Sequence, residues 1–180
     1  MHLKTALLIT VLTILLTAVA CKRESTTSTT NTAESGQPAA GKTPGPLPDR
    51  AFRAVLAFKD APAKLRTGQK ETVVVRVKNG SDVFWWARGA ERNDSPSNKF
   101  YIAVGNLWLQ EDGKLLTNMD GRIGLPKDLR PGEEVEVPLS ISAPTTPGNY
   151  ILEIDLVQEQ VAWFHDKGSA TARTNVTVVR

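Results

Sequence analysis

"EVEVPLSIS", Glu134–Ser142, is followed after a Pro- and Gly-containing break by "NYILEIDLV", Asn149–Val157. In the first run Val135, Val137, Leu139 and Ile141 recur at every second position. In the second, Tyr150, Leu152, Ile154 and Leu156 do the same, opposite Glu153 and Asp155. Successive side chains of an extended chain point to opposite faces of a sheet. Each run therefore writes one apolar and one wet face, as half-buried antiparallel strands do. Pro138 has no N–H to give to a ladder, which places the first run at a sheet edge or a bulge. Working outward, "ETVVVRVKN", Glu71–Asn79, sends Val73, Val75 and Val77 one way and Thr72, Arg76 and Lys78 the other, and the C-terminal run groups Thr174, Val176 and Val178. Thr67-Gly68, Asn79-Gly80, Asp112-Gly113, Asp120-Gly121, Pro131-Gly132 and Pro147-Gly148 punctuate these runs as turns. No segment keeps a helical apolar stripe for three turns. The pattern predicts an all-β chain, an antiparallel sandwich of about seven to nine strands.

The aromatic residues take places in that sandwich. In Val83-Phe84-Trp85-Trp86 two neighbouring tryptophans on one strand must face opposite ways. We assign Trp85 inward with Val83, as the third-strand tryptophan of an immunoglobulin-type domain, and Trp86 outward with Phe84. Tyr150, just after Pro147-Gly148, stands where a tyrosine-corner hydroxyl would tie down the crossing loop.

The N-terminal part follows other rules. "MHLKTALLITVLTILLTAVAC" places Lys4 before an uncharged, mostly apolar run that ends in small residues at Ala18-Val19-Ala20. That is the layout of a secretory signal peptide over residues 1–20. A membrane-spanning helix is the other reading, but the run is short against the roughly 20 apolar residues a bilayer requires. Cys21 is the single cysteine of the chain, so no intramolecular disulfide forms. Its place directly after the small residues resembles the lipobox of bacterial lipoproteins. The resemblance implies cleavage after Ala20 and lipidation of Cys21, hence a lipid anchor in a cell envelope. Lys22 is not the aspartate that retains many such proteins in the inner membrane, which points to the outer membrane where a host has two. Residues 22–50, rich in Ser, Thr, Pro, Gly and Ala and with Leu47 as their one leucine, read as a disordered tether. Its threonines are either bare spacer or acceptors for O-linked sugar. Residues 51–180 are one domain's worth of chain.

Taken together, "KNGSDVFWW", "AVGNLWLQEDGKLL", the run from Asp120 to Phe164 and "GSATARTNVTVV" resemble immunoglobulin-like accessory modules of bacterial envelope and polysaccharide-related proteins, often appended to glycosyltransferases or methyltransferases. The likeness spans 52–179. It is most specific in the LP..L.PG, AP..PG.Y and DLV.E.V.WF patterns. It implies an immunoglobulin-like β-sandwich without catalytic residues of its own.

Composition and spacing narrow the function classes. Removing residues 1–20 takes away one lysine and leaves a net charge of +2, with both signs interspersed and no basic run. Nucleic-acid binding, which needs clustered Lys and Arg, is not expected. His165 would be the sole histidine base after processing, and no G-x-S-x-G elbow is present, so no catalytic residue is assigned. His165 and Asp166 are adjacent and would diverge on a strand. "QEDGKLLTNMDGR" lacks the alternating oxygen ligands of an EF-hand loop. No metal and no cofactor are therefore expected. A ligand-stacking surface stays open. Trp86, Trp163 and Phe164 offer aromatic faces, and Arg88, Asp155 and Glu159 offer polar partners. The competing reading has Trp163 and Phe164 closing the core. By strand parity only one of that pair faces inward. The partners in view are the membrane, through Cys21, and either an envelope protein or a glycan.

Overall fold

The computed structural model describes residues 44–87 and 98–180, with backbone alone at 117–120. The signal peptide, Cys21 and Arg88 lie outside the described residues. Among the described residues nine strands follow one another: β1 (Ala54–Phe58), β2 (Lys64–Arg66), β3 (Lys70–Asn79), β4 (Ile102–Gln110), β5 (Leu115–Gly124), β6 (Glu134–Ser142), β7 (Gly148–Gln158), β8 (Ala162–Trp163) and β9 (Ala172–Val179). They form an immunoglobulin-like β-sandwich. One sheet has the order β1-β3-β6. The other has the order β2-β9-β7-β4-β5, with β8 on the far end of β7. β6 is the outer strand of its sheet, where Pro138 costs no ladder bond.

One pairing departs from the antiparallel expectation. β2 runs parallel to β9, with Leu65 opposite Val178. β1 and β2 are two pieces of one run that crosses between sheets at 59–63, where Thr177 N–H donates to the Ala63 carbonyl at 3.0 Å. β5 also bends toward the facing sheet. Opposite Asn106 it carries extra residues, and Gly121 lies so close to the Ser140 carbonyl that no Cβ fits there. The Asn106 side-chain oxygen accepts from Gly121 N–H at 2.8 Å, which satisfies the displaced backbone.

The alternating positions meet between the sheets. Val73, Val75 and Val77 of β3 and Val137, Leu139 and Ile141 of β6 pack against Leu152, Ile154 and Leu156 of β7. Trp85 is fully buried and donates its indole N–H to the Ala51 carbonyl at 3.1 Å. Val83–Trp86 is not a strand, however: the described residues hold one isolated bridge there, Trp85 with Leu129. The reason lies in Asn79. This fully buried amide donates to the Val83 and Leu129 carbonyls and accepts from Ser81 N–H and hydroxyl, replacing a ladder by side-chain bonds. Tyr150 does tie its corner: the hydroxyl donates to the Thr146 carbonyl at 2.9 Å.

The folded body begins before residue 51. Leu47 packs on the core, and Asp49–Ala51 forms a 3-10 turn. The Gln158 side chain, fully buried at the end of β7, accepts from Leu47 N–H at 2.9 Å and donates to the Gly45 and Phe100 carbonyls, each at 2.9 Å. Residues 45–49, assigned to the tether from composition, are therefore strapped onto the sandwich.

Candidate functional site

The outward face of the larger sheet can be read row by row from its register. Gly105 of β4 stands opposite both Arg122 of β5 and Asp155 of β7, so these three share a row and a face. In the next row Leu107 stands opposite Glu153, which stands opposite Arg173. On the other side, Ala103 stands opposite Val157, which stands opposite Trp163 of β8. The middle of the first row has no side chain, and Trp163 fills it. A Cβ on Gly105 would come within 2.9 Å of the indole Cη2. The benzo end of the ring thus lies against bare strand.

Charged groups frame that ring. The Arg122 guanidinium stands 5.3 Å from the Trp163 ring centroid, and its Nε is 2.8 Å from Glu159 Oε1. Burial pushes the Glu159 carboxyl above its ordinary range, and Arg122 pulls it partly back. Two non-glycine residues with left-handed backbone flank this carboxylate: Phe100 at φ 74° and Gln160 at φ 60°. Phe100 N–H donates to the Glu159 carbonyl at 3.0 Å, and Glu159 N–H donates to the Tyr101 carbonyl at 2.9 Å. Backbone strain of this kind persists only where its surroundings hold it.

On the other flank lies His165, its ring 6.3 Å from that of Trp163. The chain leaves β8 after Trp163, makes a 3-10 turn at His165–Lys167 and rejoins the sheet at β9. This excursion covers Asp155, which is fully buried. One Asp155 oxygen accepts from Leu156 N–H at 2.7 Å. The other accepts from His165 N–H at 3.2 Å and lies 2.6 Å from His165 Nδ1. Burial raises the Asp155 carboxyl above its ordinary range, and the His165 bonds oppose this. His165 Nε2 lies 3.2 Å from Asp166 Oδ1. The contact with buried Asp155 fixes the orientation of the imidazole. Among the described residues no three His, Cys, Asp or Glu side chains are gathered to hold a metal ion.

Beyond His165 the face continues as a shallow groove of about 580 Å³, floored by Leu107, Leu109 and Leu115 and bordered by His165 and the Glu153–Arg173 ion pair. Leu115 is 51% exposed.

The residues expected from sequence divide accordingly. Asp155, Glu159 and Trp163 come together on the outward face, but both carboxylates are buried and paired. Phe164 is not part of a stacking surface. It is fully buried, with its ring 4.9 Å from Phe52 and 5.1 Å from Trp85, because strand parity turns it inward where Trp163 turns outward. Trp86 is half-buried and takes its ring contact from Phe84 at 5.1 Å. Arg122 and Gly105 belong to the site and were not singled out from sequence. Their contribution depends on β5 and β7 flanking β4, a strand order that period-2 patterns do not encode.

Compared by sequence, the chain matches no protein-family model and no curated protein. Among solved structures it is similar to the CARDB domain of a Pyrococcus furiosus protein, with 20% identity, 70% of this chain and 94% of that one covered, and a TM-score of 0.41. It is also similar to the sporulation control protein Spo0M of Bacillus subtilis, with 14% identity, 71% and 49% covered, and a TM-score of 0.37. A conjugative transposon lipoprotein of Bacteroides eggerthii matches with 9% identity, 72% and 99% covered, and a TM-score of 0.28.

Proposed function

We propose that this chain is a lipid-anchored envelope lipoprotein whose sandwich is a non-catalytic binding or assembly module. The observation that carries the binding role is the outward face of the larger sheet. There Trp163 is held over Gly105 between two charge pairs, beside an exposed leucine-floored groove. An outward sheet face with no partner is ordinarily covered by solvated polar side chains. Here it carries an aromatic ring, paired charges and apolar floor, the composition of a recognition surface.

The anchoring rests on sequence: Lys4, the apolar run and Cys21 after Ala18-Val19-Ala20. Two or three acyl chains at Cys21 give stable attachment, since each buried methylene contributes about 0.8 kcal/mol. The absence of aspartate after Cys21 favours the outer membrane of a two-membrane host.

Each half has its own test. Cys21→Ala is expected to release the protein from the membrane fraction or to leave an uncleaved precursor. Normal cleavage with full membrane retention rules out lipidation at Cys21. For the face, Leu115→Asp and Trp163→Ala are expected to abolish the protein's envelope complexes, read by native electrophoresis of solubilised membranes, while the thermal unfolding transition stays cooperative. Complexes that survive both changes place the binding elsewhere.

A further inference from the structure

Beside Trp163 the two described guanidiniums are paired: Arg122 Nε is 2.8 Å from Glu159, and Arg173 is 3.0 Å from Glu153. His165 Nδ1 lies 2.6 Å from the Asp155 carboxylate. A phosphate, an acidic polysaccharide or a nucleic acid gains its affinity from cations that lack such partners. Among the described residues none of that kind stands along the Trp163 row. It offers a fixed aromatic ring and the donors and acceptors that remain on paired guanidinium, imidazole and carboxylate groups. That inventory suits a ligand with apolar C–H faces and many neutral hydroxyls.

The ring is also held in place before any ligand arrives. Gly105 seats its benzo end, the Arg122 guanidinium stands over the ring, and the backbone of Glu159, which pairs with Arg122, is bonded to Phe100 and Tyr101. The adjoining groove of about 580 Å³ falls within the roughly 300–1,000 Å³ span of small-ligand sites.

We infer that the outward face binds a neutral glycan, with one sugar ring stacked on Trp163 and further units lying along the Leu107–Leu109–Leu115 groove. This rests on the reading that the same face is the binding surface. The sugar hydroxyls bond the Arg122–Glu159 pair on one side of the ring and the His165–Asp166 edge on the other.

The experiment is affinity electrophoresis of the full chain in non-ionic detergent, through gels containing neutral polysaccharides (glucan, mannan, galactan, xylan) or acidic ones (alginate, hyaluronate). Retardation by at least one neutral polysaccharide is expected, with little change at high salt. Trp163→Ala is expected to weaken it about tenfold, the size of one lost aromatic contact. Gly105→Ala keeps the indole but pushes it off its seat, and is expected to weaken binding with an unchanged unfolding transition. Stronger, salt-sensitive retardation by the acidic polymers overturns the inference, as does neutral binding indifferent to both substitutions. If no polysaccharide retards the chain while Leu115→Asp and Trp163→Ala still dissolve an envelope complex, the glycan is wrong and the face binds a protein. If neither occurs, the binding face itself is wrong.

Discussion

Trp85 and Phe164 meet edge to face, ring centroids 5.1 Å apart with planes at 83°, and Phe52 closes the other side of Phe164 at 4.9 Å. The three rings seal one end of the core, and all are fully buried. Trp163, the next residue in the chain, is on the other side of the sheet. Phe164→Ala is expected to cost about 3–5 kcal/mol, the usual range for an excavated core aromatic. Trp163→Ala is expected to cost about 1 kcal/mol, as for a partly exposed position. Urea unfolding of the two variants checks this. Equal losses would mean that both rings serve the core.

The corner at Tyr150 makes a smaller and cleaner prediction. Its hydroxyl donates to the Thr146 carbonyl at 2.9 Å, and its ring packs 6.4 Å from Trp108. Tyr150→Phe keeps the ring and removes one hydrogen bond. The expected loss is about 0.5–1.5 kcal/mol, read as a lower unfolding midpoint at unchanged denaturant slope. No loss would mean that the loop is held by its two prolines alone.

These two positions show what was legible in the chain. Period-2 spacing places Val73, Leu139, Leu152 and Val176 in the core and separates Trp163 from Phe164, while Trp85 is buried as expected although its segment is not a strand. Asp155 shows the limit. Its parity is opposite to the core, and a strand pattern reads that as a wet face. Yet the residue is fully buried, because the excursion after β8 lays His165 over it. Arg122 reaches Glu159 only because β4 lies between β5 and β7 and carries no side chain at Gly105. Face is local information. Strand order and the path of an irregular loop are not, and the site is built from those.

Gln158 links the start of the folded body to the same region. Its amide holds Gly45 and Leu47 on one side and the Phe100 carbonyl on the other. Gln158→Ala leaves those backbone groups without their partner, so the strap opens more often. Limited trypsin digestion is expected to cut at Arg50, which is exposed, several times faster in the variant than in the wild type. Cleavage at an unchanged rate would show that Leu47 packing alone keeps 45–49 in place.

The buried ion pair gives a pH dependence with a definite sign. Burial holds the Glu159 carboxyl above its ordinary range, only partly offset by Arg122. Below about pH 4.3, the ordinary glutamate value, the group is protonated in both folded and unfolded chains and favours the folded one. As pH rises, the unfolded chain loses this proton first, so the contribution of Glu159 declines until the folded carboxyl ionises too. Glu159→Gln has no such proton. Other carboxylates act in the opposite sense: Lys114 holds Asp112 low, the Arg130 N–H holds Glu133 low, and Lys59 holds Glu136 low. They are common to both proteins and cancel in the comparison. The difference in unfolding free energy, wild type minus Glu159→Gln, is therefore expected to fall as pH rises from about 4 and then to level off. Urea titrations at closely spaced pH values measure it directly. A difference that rises with pH would mean that the attraction of Arg122 outweighs burial, and that Glu159 stands in the folded chain as a fully stabilised anion.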